Sequence, residues 1–182
     1  WGLTTERDID QLLVDRVQHG DKKAFELLVS KYQRKLMRLV SRLVRDQAEA
    51  EDVVQETFMK AFDAIDGVRS DSSLKTWLFT IARRLVIDRQ RAGRRRGVAV
   101  EVQEHHAVSS YGALDSLVAD ETSRRIQEAI AALTPMQRDV FLLRIQEGQS
   151  YRDLAQVLGT TEGAARVHYH NAMRTVQEIL NA

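Results

Sequence analysis

One helix-length stretch of this chain carries a mixed polar surface that is suited to binding another protein. Val54, Phe58 and Phe62 recur at helical spacing, with Ala61 and Ile65 beside them, which predicts one buried stripe. The opposite side of the same predicted helix holds five side chains that form one continuous patch: Asp52, Gln55, Glu56, Met59 and Lys60. A solvated face is the simpler interpretation of a charged stripe, but this patch is mixed in character, with a methionine and an amide among the charges.

A dense run of arginine follows in the next predicted helix. Residues 83–96 contain one acid, Asp88, and seven arginines: Arg83, Arg84, Arg89, Arg91, Arg94, Arg95 and Arg96. Arginine without lysine favours bidentate contacts to phosphates and base edges over simple solubility. The run therefore predicts a surface for a polyanion, and the alternative is a solvated helix end with a disordered basic tail.

The end of the chain has the pattern of a helix-turn-helix. Ser150 is placed to cap the short helix YRDLAQVL, Gly159 makes a turn, and Thr160 or Thr161 caps the next helix. In such a motif the N-terminal half of the second helix enters the DNA major groove. That half carries Ala164, Ala165, Arg166, His168, Tyr169, His170 and Asn171. The alternative is an αα-hairpin that serves packing alone.

Composition excludes several classes of protein. Cysteine is absent, so neither disulfides nor thiolate metal sites are expected, and adjacent His105 and His106 would point apart on a helix. No phosphate-cradling glycine loop and no His–carboxylate set at ligand spacing is found, so we expect no enzyme, no metal and no cofactor. The sequence shows no apolar run of about eighteen residues and no leader, which fits a cytosolic bacterial protein. Trp1 stands where an initiator Met is expected, so it is not expected to be the natural start.

Helical periodicity and a single proline predict an all-α protein of two small helical domains. We expect a first domain over residues 1–96, a flexible linker over 97–117 and a second domain over 118–182. Residues 1–96 hold 20 Lys and Arg against 15 Asp and Glu, whereas residues 97–182 hold 7 against 11. Positive charge is therefore concentrated in the first domain.

Local signals also predict where several helices begin. Asp21 and Asp46 are placed to cap the second and third helices, and Thr134 with Gln137 to form a capping box in the second domain. The second helix carries an apolar stripe at helical spacing: Phe25, Leu28, Val29, Tyr32, Leu36, Leu39, Val40 and Leu43.

The order of these features resembles that of bacterial RNA polymerase sigma factors of the extracytoplasmic-function type. DVVQETF resembles the family's core-binding helix, and GDKKAFELLVSKY resembles the opening of its region two. RSDSSLKTWLFTIARRLVIDRQR resembles its −10 recognition segment, and LTPMQRDVFLLRIQEGQSYRDLAQVLG resembles its region four. The resemblance covers nearly the whole chain. It implies an alternative sigma factor that binds core RNA polymerase and directs promoter recognition and opening.

The resemblance also implies a role for each group of residues. The polymerase would be bound by Asp52, Gln55, Glu56, Met59 and Lys60. An extruded −10 base would be captured, and the melted strand held, by Arg69, Ser70, Asp71, Ser72, Ser73, Arg83, Arg84, Asp88 and Arg91. The −35 element would be read by Thr161, Arg166, Val167, His170, Asn171 and Arg174. The implied partners are core polymerase, promoter DNA and an anti-sigma factor that would hold the protein at the membrane without membrane insertion.

Two segments depart from the family's pattern. Arg84 stands where the family often has Asn, and the run AARVHYHNAMR stands where the recognition helix is usually rich in Arg. Residues 118–182 hold seven basic and eight acidic side chains, which is weak for an independent DNA binder. Either −35 contact depends on tethering by polymerase, or the −35 sequence that is read is unusual. The rival interpretation is a dimeric helix-turn-helix repressor or activator, which needs a dimerisation helix for which the sequence shows no spare apolar stripe.

Overall fold

The computed structural model describes residues 5–44, 46–68, 73–97 and 121–182, and every regular element in these ranges is helical. The chain divides into two compact units, Trp1–Val100 and Glu101–Ala182. The predicted all-α fold is confirmed. The predicted linker, residues 97–117, lies outside the described residues except for Gly97, as do His105 and His106.

In its described part the N-terminal unit contains four α-helices, and each begins at a side-chain cap. They are α1 (Glu6–Gln18), α2 (Lys22–Leu43), α3 (Gln47–Ala64) and α4 (Leu74–Arg95), with a 3₁₀ turn at Ile65–Gly67. Asp21 accepts from the backbone amides of Lys23 and Ala24, and Asp46 accepts from that of Ala48. These bonds satisfy donors that a helix N-terminus otherwise leaves open, as the two aspartates were predicted to do.

Helix α2 lies at the centre of this unit and contacts α1, α3 and α4. Its buried side chains Leu28, Tyr32, Leu36, Leu39 and Val40 follow the predicted stripe. Helices α3 and α4 add to the core an apolar set that includes Val53, Val54, Phe58, Phe79, Ala82 and Val86. Because this apolar set packs α3 and α4 against α2, the opposite, exposed faces of α3 and α4 are held in fixed positions.

A buried acid fastens α1 to α2. Asp10 is 6% exposed; it pairs with Lys31 at 2.5 Å and accepts a hydrogen bond from the Tyr32 hydroxyl. Burial, together with the bond to Asp10 and its charge, raises the pKa of Tyr32 far above its ordinary value. The tyrosine is therefore held neutral as a donor to the carboxylate.

The C-terminal unit contains four α-helices in its described part: α5 (Glu121–Ala131), α6 (Pro135–Glu147), α7 (Tyr151–Leu158) and α8 (Glu162–Asn181). Thr134 and Gln137 form the predicted capping box at the start of α6. Ser150 caps α7 and Thr161 caps α8. Gly148 and Gly159 end α6 and α7 in the left-handed conformation, at φ 61° and 65°, which favours glycine.

Helix α8 contacts α5, α6 and α7 and carries much of this unit's core. The core cluster contains Ala129, Leu133, Phe141, Leu142, Ala172 and Val176. Buried Arg138 closes the end of α5, because its guanidinium donates to the carbonyls of Ile130, Ala131 and Leu133. Leu154 and Leu158 bury the inner face of α7, so α7 and α8 form the predicted helix-turn-helix.

Candidate functional site

An open groove of about 1060 Å³ runs between α2 and α3. Three of the five predicted polymerase-binding residues line it: Asp52, Gln55 and Met59. Met59 is 65% exposed and therefore contributes little to the core. Glu56 and Lys60 do not line the groove, so the predicted patch contains a groove edge and a separate outer part.

Phenylalanine side chains give the groove an apolar wall. The rings of Phe25 and Phe58 lie 6.5 Å apart, and those of Phe25 and Phe62 lie 5.0 Å apart, both edge to face. Phe62 was predicted to lie in the buried stripe, but it is 44% exposed. The buried members of the stripe are Val54, Phe58, Ala61 and Ile65, because Phe62 packs on Phe25 at the groove and not inside the helix bundle.

The charged residues that line the groove are mostly acidic. Four carboxylates and one ammonium group line it: Glu26, Glu51, Asp52, Asp63 and Lys22. Among the described residues, Asp52 has no hydrogen-bonding or ion-pair partner. An apolar wall with an acidic border fits a protein partner that offers basic side chains around an apolar contact.

Glu56 is already paired within the unit. Its Oε2 accepts from Nη2 of Arg89 at 2.9 Å, and both side chains are more than a third exposed. The pair joins α3 to α4. Arg89 therefore already has a carboxylate partner, unlike Arg84 and Arg91 in the described part of the chain.

The predicted strand-binding face of α4 is exposed. Arg84, Asp88 and Arg91 lie at spacings of four and three residues, so they share one face, and all three are solvent-exposed. In the described part of the chain none of them forms an ion pair. Arg83 is half-buried beside this face. Arg94 and Arg95 lie in the last turn of α4, where positive charge also stabilises the helix dipole.

The predicted −10 loop is only partly described. Residues 69–72 lie outside the described ranges, so Arg69, Ser70, Asp71 and Ser72 remain a sequence prediction. Ser73 is the N-cap of α4: its hydroxyl accepts from the Thr76 amide at 3.1 Å and donates to the Thr76 hydroxyl at 2.7 Å. Trp77, one turn further on, is half-buried.

Most of the predicted −35 residues lie in the N-terminal half of α8; Thr161 is its cap and Arg174 lies in its second half. Arg166, Val167, His170 and Arg174 are exposed, with Val167 at 58%, and Asn171 is half-buried. The Thr161 hydroxyl accepts from the Ala164 amide at 3.0 Å. Thr161 therefore has a structural role as the cap of α8, whether or not it also contacts DNA.

Two arginines and two tyrosines form a cluster at the start of α7 that sequence reasoning did not find. The guanidinium carbons of Arg144 and Arg166 lie 4.0 Å and 4.8 Å from the ring centroid of Tyr151. Arg144 also lies 5.2 Å from the ring of Tyr169. The helical spacing of Arg166 and Tyr169 on α8 was visible in the sequence. Their meeting with Arg144 and Tyr151 required the packing of three helices.

Family models match both units of the chain. Sigma-70 region 2 matches residues 28–96, and Sigma-70, region 4 matches residues 123–176. The RNA polymerase sigma-H factor of Pseudomonas aeruginosa is 37% identical in an alignment 187 residues long, gaps included. The alignment covers 98% of this chain and 96% of that protein. The ECF RNA polymerase sigma-E factor of Escherichia coli is 37% identical over 181 residues, 94% of each.

Solved structures agree with the sequence matches. The sigma factor RpoE of Bartonella quintana, solved in complex with the anti-sigma factor NepR, has a TM-score of 0.63 and 29% identity, covering 88% of this chain and 98% of that one. CnrH, solved in complex with the cytosolic domain of CnrY, has a TM-score of 0.65 and 23% identity over 96% and 98% of the two chains, which shows a shared fold.

The two helical units and these matches define a sigma-70-type transcription initiation factor, a class whose members are not enzymes. Within that class, the chain belongs to the extracytoplasmic-function family of RNA polymerase sigma factors. Its function is that of an alternative sigma factor that directs promoter use, and the repressor interpretation is not favoured. No helix in the described ranges is both long and apolar enough to cross a membrane.

Proposed function

We propose that this sigma factor uses three separate surfaces, one for core RNA polymerase and two for promoter DNA. The observation that carries the proposal is the exposed face of α3. Asp52, Gln55 and Met59 line an open groove, while Val53 on the same helix is fully buried in the core. A helix that is anchored on one side and offers acids and a methionine on the other can bind a partner without refolding.

The first surface is the groove between α2 and α3, which we assign to core polymerase. Its acidic border would meet basic side chains of the partner, and Met59 and Phe62 would supply apolar contact. Lys60 extends the same face. Glu56, which is held by Arg89, contributes at the margin of the contact.

The second surface is the arginine face of α4, which we assign to the melted −10 strand. Arg84 and Arg91 are exposed and lack a carboxylate partner among the described residues, so they are available for phosphates. The loop 69–73, whose last residue caps α4, would take the extruded base.

The third surface is the N-terminal half of α8, which we assign to the −35 element. Arg166, Val167 and His170 are exposed where a helix-turn-helix presents side chains to the major groove. Asn171 would pair with an adenine edge, and Arg174 with the backbone. Because residues 118–182 hold seven basic and eight acidic side chains, we expect this unit to bind DNA well only when polymerase holds it in place.

An anti-sigma factor completes the proposed set of partners. RpoE of Bartonella quintana, which shares the fold and 29% of its residues with this chain, was solved with the anti-sigma factor NepR. We place this chain in the bacterial cytoplasm, where an anti-sigma factor would hold it inactive and, if membrane-anchored, would keep it at the membrane.

The test is transcription in vitro with purified core polymerase and this chain on a library of promoters with randomised −35 and −10 elements. We expect transcripts that depend on the chain and that select a defined pair of elements. DNase footprints of the chain without polymerase should be absent at the same promoters. A stable dimer that footprints a palindrome by itself, with no effect on polymerase, would contradict the proposal and support a repressor.

A further inference from the structure

The ring of Tyr151 contacts an arginine that belongs to the proposed −35 surface. Tyr151 is the first residue of α7, and Arg166 lies on the exposed side of α8. The guanidinium carbon of Arg166 is 4.8 Å from the Tyr151 ring centroid, within the range in which a cation is attracted to an aromatic face. The first helix of the motif thus contacts a side chain that the second helix offers to DNA.

The Tyr151 ring is itself held from two sides. Tyr169 meets it edge to face at 6.1 Å, and Phe141 of the core lies 6.3 Å from Tyr169 with its ring nearly parallel. Arg144 lies 4.0 Å from the Tyr151 centroid, and its Nη1 donates to the carbonyl of Gln149 at 3.0 Å. The ring is therefore fixed relative to the core through aromatic contacts and through an anchored guanidinium.

The contact with the Tyr151 ring leaves the N–H donors of Arg166 available for hydrogen bonds. In the described part of the chain it has no carboxylate partner and no hydrogen bond, and it is exposed to solvent. An arginine side chain has several rotatable bonds, and contact with a fixed ring removes part of that freedom before DNA arrives. A guanidinium that is held in place and still has open donors suits the paired acceptors on a guanine edge.

We propose that Tyr151 is a positioning residue for Arg166 and that it thereby sets the base preference of this sigma factor at one position of the −35 element. Arg144 supports the same ring. The inference rests on the proposed assignment of α8 to the −35 element. It extends that assignment to a residue outside α8 that need not touch a base.

The experiment measures transcription by the holoenzyme on promoters that differ at single −35 positions. It compares the wild-type chain with Arg166→Ala, Tyr151→Leu, Tyr151→Phe and the double variant Tyr151→Leu/Arg166→Ala. Arg166→Ala should reduce discrimination at one base pair by about 5- to 150-fold, the range for a bidentate base contact. Tyr151→Leu should reduce discrimination at the same base pair by about two- to fivefold, the range for an exposed cation–aromatic contact.

Tyr151→Phe keeps the ring and should retain the wild-type preference, and Tyr151→Leu should change nothing further in the Arg166→Ala background. If Tyr151→Leu unfolds the unit in a thermal melt, Tyr151→Met takes its place, with the same expected result.

If Arg166→Ala changes the −35 preference and Tyr151→Leu does not, the positioning role is wrong and the α8 assignment stands. If Tyr151→Phe lowers discrimination at that base pair as much as Tyr151→Leu does, the hydroxyl and not the ring sets the preference, and the positioning role is wrong. If Arg166→Ala leaves the preference unchanged, Arg166 is not a base reader and the positioning role fails with it, whereas the α8 assignment is then decided by Asn171→Ala.

Discussion

Arg89 on α4 donates a hydrogen bond to Glu56 on α3, with 2.9 Å between Nη2 and Oε2. The bond joins the helix that we assign to polymerase to the helix that we assign to the −10 strand. It also distinguishes Glu56 from Asp52. Glu56 is paired inside the unit, whereas Asp52 lines an open groove and has no partner among the residues that the structure describes. The two acids of the predicted patch are therefore not equivalent.

Charge reversal at Asp52 should weaken binding to core polymerase. Asp52→Arg places a positive charge on the acidic border of the groove, where we expect a basic partner, and should raise the Kd about tenfold, or about 1.4 kcal/mol. Asp66→Arg is the matched control, because Asp66 is exposed in the same unit and does not line the groove. Fluorescence anisotropy of labelled chain titrated with core polymerase measures both. Equal affinities for the two variants would remove the groove from the proposed interface.

Truncation of Met59 should affect binding without affecting folding. Met59→Ala removes a side chain that is 65% exposed, so the free energy of unfolding should change by less than about 0.5 kcal/mol. Affinity for core polymerase should fall by about 1–2 kcal/mol if Met59 fills an apolar contact. Leu12→Ala, at a residue that is 59% exposed on α1 and away from the groove, should leave affinity unchanged. A loss of affinity that is the same in both variants would argue against a specific apolar contact at Met59.

Loss of Arg84 should slow promoter opening on all promoters alike. Arg84→Ala removes one exposed guanidinium that we assign to the melted strand, and the salt dependence of open-complex formation should fall by about 0.7–0.9 in log–log slope. Lys23→Ala is the control, because it removes one exposed positive charge from the start of α2. Permanganate reactivity of unpaired thymines follows opening over time. A defect confined to particular −35 sequences would contradict the assignment.

Asn171 and Thr161 should give different phenotypes although both lie on the −35 surface. Asn171→Ala should relax preference at one −35 position by about 1–3 kcal/mol of discrimination with little change in stability. Thr161→Ala removes the cap of α8 and should cost about 1 kcal/mol of stability. A thermal melt and transcription on −35 variants separate the two effects. If Asn171→Ala lowers transcription equally on every −35 variant and does not alter the melt, Asn171 is not a base reader.

The N-terminal unit should lose stability at high pH through Tyr32. Its pKa is raised in the folded state from an ordinary value of 10.0, so the neutral hydroxyl is favoured by folding. That stabilisation is fully present below the pKa of the unfolded chain and is lost as pH rises above about 10, with a slope of up to about 1.4 kcal/mol per pH unit. Tyr32→Phe should lower stability at pH 8, and its difference from wild type should shrink above pH 10. Denaturant titrations that follow tryptophan fluorescence measure this, because both tryptophans, Trp1 and Trp77, belong to the N-terminal unit. A difference that stays constant from pH 8 to 11 would exclude Tyr32 as the titrating group.

Local signals in the sequence determined the helices and their ends. Asp21, Asp46, Thr134 and Ser150 cap the helices that they were predicted to cap, since a cap depends on residues two or three positions away. Gly148 and Gly159 end helices because the left-handed conformation favours glycine. The stripe of α2, from Leu28 to Val40, also followed from periodicity, because an amphipathic helix must bury its apolar side.

The tertiary structure alone decided which side chains from different helices meet. No sequence pattern singled out Asp10, yet it is buried against Lys31 and Tyr32. Glu56 belonged to a predicted binding patch, yet it pairs with Arg89. Phe62 fits the periodicity of the buried stripe but lies exposed beside the groove. The Tyr151 cluster likewise combines residues from α6, α7 and α8. Periodicity specifies the face of one helix on which a residue lies, whereas packing angle and register between helices specify what that face contacts, and these depend on the whole core.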